Sequence, residues 1–275
     1  MQRVKEKAIQ LLKDGVVDRV IGWKAGEFFY DLTPAVFTSA EEVEKDFVWS
    51  VFSAANVSKY LIAESKKGGR IAAFLKPCDS YSFVQLCKEH RIAKENVYVV
   101  GVQCDGTCDI EKLKALGFKG VTGVEERGEE LLVSTLYGGK TAAKKDALLE
   151  RCMVCKSKRI AYFDELLGEQ GDDCGDARFE AVEKLEAMTP EERFAFWRGE
   201  LSRCIRCNAC RNVCPACSCE KCVFDNHALG TDNKAAADDF EENFFHIIRA
   251  FHVASRCTDC GECSRVCPQH IPLHL

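Results

Sequence analysis

The N-terminal quarter of the chain carries apolar residues at helical spacing. Residues 3–13 place them on one face of an amphipathic helix, and irregular chain around residues 31–34 follows. Residues 41–65 again repeat apolar side chains at roughly helical spacing, until the lysine- and glycine-rich segment 66–70 ends the pattern. The pattern predicts helices over residues 3–13 and within residues 41–65.

A strand–helix–strand unit is predicted next. Residues 70–75 and 96–103 are short apolar runs rich in β-branched and aromatic side chains, which favour strands. The segment 80–90 between them predicts a helix with Asp79 as its N-cap. A strand, a helix and a strand within about thirty residues are typical of a parallel βαβ unit.

The chain is expected to contain two domains. Two strands near residues 118–136 and a helix at about 141–151 complete the first, residues 1–170, an α/β domain with a small, mostly parallel sheet. The polar, acidic segment 168–173 predicts a linker. The second domain, residues 189–275, opens with a Thr-Pro-Glu-Glu helix start and is expected to be a mostly helical, ferredoxin-type domain.

Composition narrows the class of protein. The chain has 18 cysteines among 275 residues, and residues 1–77 contain none. A secreted, disulfide-stapled domain would be shorter and would carry an apolar export signal, which the charged N-terminus lacks. The longest apolar run, residues 97–102, is too short for a membrane span. A cytoplasmic, metal-binding protein is predicted, and a net charge of −5 without a basic stripe argues against nucleic acid as a partner.

The C-terminal cysteines form two copies of one motif. Residues 204–214 and 257–267 each contain Cys-x2-Cys-x2-Cys-x3-Cys followed by proline, the run of bacterial two-cluster ferredoxins. Three closely spaced thiolates hold one [4Fe–4S] cubane, and the fourth reaches the neighbouring cluster. Structural zinc, the alternative, prefers paired Cys-x2-Cys units with four ligands to one ion. We therefore assign cluster one to Cys204, Cys207, Cys210 and Cys267, and cluster two to Cys257, Cys260, Cys263 and Cys214.

Cysteines of the first domain are expected to meet at one edge of the sheet. Cys78 follows the first strand of the βαβ unit and Cys104 follows the second, and sites of α/β sheets lie at these carboxyl ends. Cys108 is an alternative ligand, and burial as free core thiols is the competing interpretation. Together with a Cys-x2-Cys pair, the set that would suit a third [4Fe–4S] cluster is Cys78, Cys104, Cys152 and Cys155.

A helix and three more cysteines lie between the two motifs. The helix is predicted over residues 238–254, and its His246 and His252 are expected to pack or to make surface contacts rather than to bind metal. The remaining thiols have two interpretations, a further metal centre or packing beside the clusters. They are Cys217, Cys219 and Cys222.

Four segments together resemble a known family. They are KPCD at 76–79, GVQCDGTC at 101–108, RCMVCK at 151–156 and the cysteine-rich C-terminal tail. The chain is similar to the beta subunits of the deazaflavin-coenzyme-reducing hydrogenase and formate dehydrogenase family, above all to the formate dehydrogenase beta type. The resemblance covers roughly residues 70–275.

The resemblance implies an iron–sulfur electron-transfer subunit of an anaerobic oxidoreductase complex. Its partners would be a catalytic formate dehydrogenase or hydrogenase subunit and heterodisulfide-reductase-type subunits. The first domain of the family commonly holds FAD beside a [4Fe–4S] cluster, whose ligands would here be Cys78, Cys104, Cys152 and Cys155.

Three functions follow from these observations. The first, which we favour, is an electron conduit in which one-electron steps pass between clusters and the chain has no substrate chemistry of its own. The second is an FAD-containing subunit that itself reduces a soluble (deaza)flavin or nicotinamide carrier, although the region before residue 70 lacks a glycine fingerprint for a flavin pyrophosphate. The third is a non-redox protein that uses zinc or a structural cluster for binding.

Overall fold

A five-stranded mixed sheet lies at the centre of the N-terminal part of the protein, with strand order β2-β1-β3-β4-β8. The computed structural model describes residues 2–226 and 239–275 and divides into two units, residues 1–175 and 176–275. The elements of the first unit are α1 (Gln2–Lys13), β1 (Arg19–Ala25), β2 (Leu32–Phe37), α2 (Ala40–Asp46), α3 (Ser58–Glu64), β3 (Ile71–Leu75), α4 (Pro77–Lys88), β4 (Val97–Val102), α5 (Ile110–Ala115), β5 (Val121–Arg127), β6 (Glu130–Thr135), β7 (Gly138–Ala143), α6 (Lys144–Ala147), α7 (Glu150–Met153) and β8 (Glu165–Leu167).

The predicted βαβ unit is confirmed. β3 and β4 pair in parallel, with α4 between them in the chain. Every residue of β3 is buried, because parallel strands are covered on both faces and therefore have continuous apolar sequences. The helix begins earlier than predicted. Pro77 is its first residue and Lys76 its N-cap, so Asp79 lies at the third helical position, where its carboxylate accepts a hydrogen bond from the Lys76 backbone N–H at 3.1 Å.

The prediction of irregular chain around residues 31–34 is wrong. This segment opens β2, which pairs antiparallel with β1, a strand that the hydrophobic pattern did not reveal. β2 lies at the edge of the sheet. An edge strand accepts Pro34 because the hydrogen bond that proline cannot donate is not needed on the open side.

Helices within residues 41–65 are confirmed only in part. α2 and α3 lie at the two ends of this range, and the chain between them is irregular. Its Val51 and Phe52 are buried in a second apolar cluster that includes Leu113 and Leu131. The apolar residues of this range therefore pack in two different clusters, and their helical spacing does not correspond to one continuous helix.

A second sheet, β5-β6-β7, follows β4 and is antiparallel. The two strands predicted near residues 118–136 are confirmed as β5 and β6. The helix predicted at about 141–151 is wrong, because residues 138–143 form β7 and only the short helices α6 and α7 follow. Residues 138–143 instead pair antiparallel with β6, and Gly138 adopts a φ of 113° at the start of β7.

The described part of the second unit contains helices around the two cysteine motifs. They are α8 (Glu180–Glu186), α9 (Pro190–Leu201), α10 (Ala209–Val213), α11 (Asp239–Val253) and α12 (Glu262–Arg265), with short 3₁₀ turns at Asp176–Phe179 and Val223–Asp225. α9 has the predicted capping box, in which Thr189 Oγ1 accepts from the Glu192 N–H at 3.2 Å. The helix predicted over 238–254 is α11, although residue 238 lies outside the described residues.

Within residues 2–226 and 239–275, no helix has both the length and the apolar character that crossing a bilayer requires.

Candidate metal centres

The two ferredoxin-type motifs share one backbone conformation. In the first motif, Arg206 (φ 52°) and Asn208 (φ 61°) adopt the left-handed region, and in the second, Asp259 (φ 53°) and Gly261 (φ 69°) do so at the equivalent positions. Non-glycine residues rarely adopt this conformation, so its occurrence at equivalent positions shows that the two loops have the same specific backbone geometry. The spacing of the cysteines and the winding of the backbone therefore repeat together.

The same winding turns backbone N–H groups toward sulfur. The Arg206 N–H donates to Cys204 Sγ, and the Asp259 N–H donates to Cys257 Sγ, both at 3.4 Å. Successive N–H groups in such a turn form a concave site for anions. Each motif thus stabilises the thiolate form of its first cysteine, which is the form that binds iron.

A buried arginine holds the second motif in its left-handed conformation. The Nη2 of Arg178 donates to an Asp259 carboxylate oxygen at 2.6 Å and to the Asp259 carbonyl at 3.0 Å. The forked guanidinium fixes both the side chain and the backbone of Asp259. In the first motif, Nη1 of Arg206 donates to the Glu241 carbonyl of α11 at 3.1 Å.

The structure brings together the four cysteines assigned to cluster one. A small cavity is lined by residues of both cysteine motifs and of α11, with Phe245 and Ile271 among its apolar walls. Burial raises the pKa of Cys210, so water is largely excluded around this thiol. The cysteines that border the cavity are Cys204, Cys207, Cys210 and Cys267.

Three of the four cysteines assigned to cluster two line a larger, mainly apolar cavity between α9 and α11. They are Cys214, Cys257 and Cys263, and Cys260 is not among the residues lining it. A hydrogen bond from Cys217 is the main cause that lowers the pKa of Cys214, against the opposing effect of burial. Burial raises the pKa of Cys263 to about 11.

Buried nitrogen atoms next to both cavities fit an iron–sulfur cluster. The Nε atoms of Arg206 and Arg249 are buried and have no hydrogen-bond partner among the described residues. Arg206 lines the first cavity and Arg249 the second. Cluster sulfurs accept hydrogen bonds, and these bonds help to set the potential of a cluster. The thiols and the N–H groups around them therefore suit [4Fe–4S] clusters.

Among the described residues, no three His, Cys, Asp or Glu side chains are placed to bind a single metal ion. In a [4Fe–4S] cluster each cysteine binds a different iron, so the ligands surround the cluster instead of converging on one point.

In the first unit, three of the four predicted ligands influence one another. Burial is the main cause that raises the pKa of Cys78 and of Cys104, the latter to about 11, and the charges of Cys104 and Cys152 add to these increases. Both the N–H and the hydroxyl of Thr107 lie within hydrogen-bond distance of Cys152 Sγ, at 3.4 and 3.3 Å. Cys155 Sγ contacts the Ser157 carbonyl at 3.3 Å.

The other cysteines differ in their surroundings. Cys108 is buried in the apolar cluster with Leu131, which favours core packing over its alternative role as a ligand. Cys222 packs against the apolar cluster of Phe224 and Phe245, and Cys219 is exposed. A further metal centre at Cys217, Cys219 and Cys222 stays a prediction.

Known proteins are similar to this chain both in the C-terminal motifs and over most of its length. Residues 200–271 match the family described as 4Fe-4S dicluster domain. F420-dependent formate dehydrogenase subunit beta of Methanocaldococcus jannaschii is 26% identical, over 96% of this chain and 84% of its own length. The predicted resemblance to formate dehydrogenase beta subunits is confirmed. F420-dependent formate dehydrogenase 1 subunit beta of Methanococcus maripaludis is also 26% identical, over 78% of this chain and 71% of its own.

One solved structure is a weaker match. The F420-reducing [NiFe] hydrogenase complex of Methanosarcina barkeri has a chain that aligns with a TM-score of 0.48 and 15% identity, over 73% of this chain and 84% of that chain.

The C-terminal 4Fe-4S dicluster domain and the mixed sheet confirm the coarser part of the predicted fold class.

Three polar residues near the sites were not predicted from the sequence to be site residues. Lys76 is fully buried beside Cys78 and Cys104, and its charge lowers the pKa of both against the larger effect of burial. His246 was expected to pack, and it is buried with Nε2 3.3 Å from Cys204 Sγ. Arg249 is buried on the same face of α11. The only signal for the last two was an amphipathic helix inserted between the motifs.

Proposed function

We propose that this chain is an iron–sulfur electron-transfer subunit of a multisubunit oxidoreductase. It would pass electrons between a formate dehydrogenase or hydrogenase catalytic subunit and a flavin or heterodisulfide-reductase-type partner. The observation that carries the proposal is the duplicated cysteine motif, with its repeated left-handed residues, inside the segment that matches a 4Fe-4S dicluster domain. The relatives named above are beta subunits of formate dehydrogenases, which supports the choice of catalytic partner.

The residues of the second unit would bind two clusters and set their surroundings. A bound [4Fe–4S] cluster accepts and releases one electron. The backbone N–H groups that reach Cys204 and Cys257 favour the thiolate form, and the apolar walls keep water away. The proposed ligands are Cys204, Cys207, Cys210 and Cys267 for cluster one, and Cys257, Cys260, Cys263 and Cys214 for cluster two.

A third cluster is proposed in the first unit. Cys78 and Cys104 follow the carboxyl ends of the neighbouring parallel strands β3 and β4, where α/β sheets place their sites. Thr107 lies within hydrogen-bond distance of Cys152 through two groups, which would orient this thiol. The proposed ligands are Cys78, Cys104, Cys152 and Cys155.

A cavity beside the third site supports the FAD-containing subunit as a second candidate. The cavity opens at the carboxyl ends of β4 and β8, and Cys104 lies in its wall. Its lining has three basic residues, Arg3, Lys76 and Lys144, and two acidic ones, Asp105 and Glu126, so a ligand with several polar groups would find hydrogen-bond partners there. In that case the first unit would itself reduce a soluble carrier.

Anaerobic purification of the native complex tests these proposals. We expect about eight irons per chain from the two motifs and about twelve with the third cluster, together with matching amounts of sulfide. Visible absorption should bleach with dithionite, as it would not in a zinc protein. About four irons per chain would refute the two-cluster centre. Flavin released on denaturation, with activity that depends on it, would favour the second candidate, and mass spectrometry identifies the partners.

A further inference from the structure

Arg249 lies on the buried face of α11, between the two candidate cluster sites. Its Nη2 donates to the carbonyl of Cys210, a proposed ligand of cluster one, at 3.4 Å. Its side chain also lines the cavity that is bordered by Cys263, Cys214 and Cys257, three proposed ligands of cluster two. One side chain therefore lies beside ligands of both sites.

Cysteines, rather than carboxylates, surround the charged group of Arg249, and they would carry negative charge once they bind iron. A buried arginine is usually neutralised by a carboxylate, because an unpaired charge in the interior is costly. Burial opposes the charged form here as well, but the negative charges of the surrounding cysteines outweigh it and raise the pKa of Arg249. Those cysteines are Cys210, Cys263, Cys214 and Cys217.

Two other buried polar side chains lie beside the first site, His246 of α11 and Arg206 of the first motif. His246 is buried with Nε2 3.3 Å from Sγ of Cys204, a proposed ligand of cluster one. The Arg206 guanidinium lies 4.3 Å from the centre of the Phe245 ring and donates to the Glu241 carbonyl. Arg249 is thus the buried cation of α11 that faces ligands of both sites.

From this geometry we propose that Arg249 is a shared cation for the two clusters, and that it raises the reduction potentials of both. The proposal rests on the proposed function, since it requires clusters at both motifs. Each [4Fe–4S]²⁺ cluster gains one electron to become [4Fe–4S]⁺, so reduction adds one negative charge at each site. A positive charge in a poorly hydrated interior stabilises the reduced form of each more than the oxidised form.

The test is a redox titration of charge variants in the full chain, purified anaerobically with its partners. Arg249→Met removes the charge, Arg249→Gln removes it but keeps hydrogen-bond donors, and Arg249→Lys keeps the charge. Arg198→Met is the matched control, because Arg198 is an exposed arginine of the same unit whose ring contact is Phe194. Dithionite supplies the electrons, and electron paramagnetic resonance follows each reduced cluster.

Both potentials should become more negative in Arg249→Met and Arg249→Gln. We expect at least a tenfold change in each reduction equilibrium, which corresponds to about 59 mV for one electron. Arg249→Lys should retain most of the wild-type potentials, and Arg198→Met should match wild type.

Three results would overturn the proposal. They are unchanged potentials in the loaded neutral variants, a shift at only one cluster, and loss of clusters from every variant at position 249, which would make the role structural. Iron and sulfide are counted for each protein before titration. A wild-type protein with about four irons contradicts the proposed function itself, whereas a loaded wild type and loaded variants with equal potentials contradict only the role of Arg249.

Discussion

Replacing Lys76 by methionine should destabilise the first unit strongly. Lys76 Nζ lies 2.8 Å from an Asp79 carboxylate oxygen, with only 2% and 0% of the two side chains exposed. Nζ also donates to the Ala55 carbonyl at 3.1 Å and lies 4.5 Å from the centre of the Trp23 ring. Burial opposes the ammonium, but Asp79 together with Cys78 and Cys104 outweighs it and raises the pKa of Lys76. Burial raises the pKa of Asp79 as well, and Lys76 is the main group that opposes this increase. Methionine would leave this carboxylate buried and unpaired, which costs about 3–5 kcal/mol.

The chain offers a matched control for this variant. Lys24 also lies 2.8 Å from a carboxylate oxygen, that of Asp46, but 52% and 30% of those side chains are exposed. Because solvent screens an exposed pair, Lys24→Met should cost about 0–1 kcal/mol. A second variant, Lys76→Met with Asp79→Asn, removes the stranded charge and keeps an oxygen that accepts the Lys76 backbone N–H. It should recover most of the loss.

Urea unfolding followed by tryptophan fluorescence measures these differences. Trp23 and Trp49 lie against Lys76, with ring centres 4.5 and 5.9 Å from Nζ, so two of the three tryptophans report on this unit. The third, Trp197, belongs to the second unit, and all variants are therefore compared in a Trp197→Phe background. The free energy of unfolding is extrapolated from the linear dependence on urea. The reasoning fails if Lys76→Met costs no more than Lys24→Met, or if the double variant is no more stable than Lys76→Met alone.

The remaining predictions concern single residues. The backbone N–H and the hydroxyl of Thr38 lower the pKa of Glu42 below 4.5 in the folded protein. The stabilisation by the Glu42 carboxylate is therefore complete above the pKa of the unfolded state and is lost as the pH falls through the pKa of the folded state. Glu42→Gln should lose less stability on acidification in urea titrations, and a loss equal to that of the wild type would contradict this. Cys104→Ser should remove about four irons per chain, whereas Cys108→Ala should keep the iron count; loss of iron from both would show that Cys108 is a ligand. His246→Leu should make the potential of cluster one more negative and leave that of cluster two unchanged, which the same redox titration tests.

Strands were predictable where both faces are buried. β3 is apolar at all five positions and was recognised, as was β4, because neither strand has a polar face to interrupt its pattern. β1 was not recognised, although four consecutive residues are buried. Its Gly22 is required by tertiary packing, since a Cβ there would collide with the Phe47 ring. That neighbour lies far along the chain and leaves no local pattern.

The cysteines were predictable and their surroundings were not. Covalent chemistry fixes the spacing of ligands along the chain, so two complete motifs stand out without any structure. Lys76 pairs with the nearby Asp79, but its burial and its contacts with Trp23 and Ala55 arise only in the tertiary fold, as do the contacts of Arg249. Charged side chains in a sequence are ordinarily exposed, and nothing local distinguishes a buried one.

The inserted helix α11 carries two residues that should affect the reduction potentials of the two proposed clusters in different ways. His246 contacts a ligand of cluster one, whereas Arg249, one turn further along the helix, lies beside ligands of both clusters. A substitution at position 246 should therefore change the difference between the two potentials, and a loss of charge at position 249 should move both in the same direction. The free-energy difference between the two clusters sets the direction in which electrons pass between them. Position 246 should therefore affect this direction, whereas position 249 should change how easily both clusters are reduced. Comparing the two variants in one titration separates a local hydrogen bond from a shared charge.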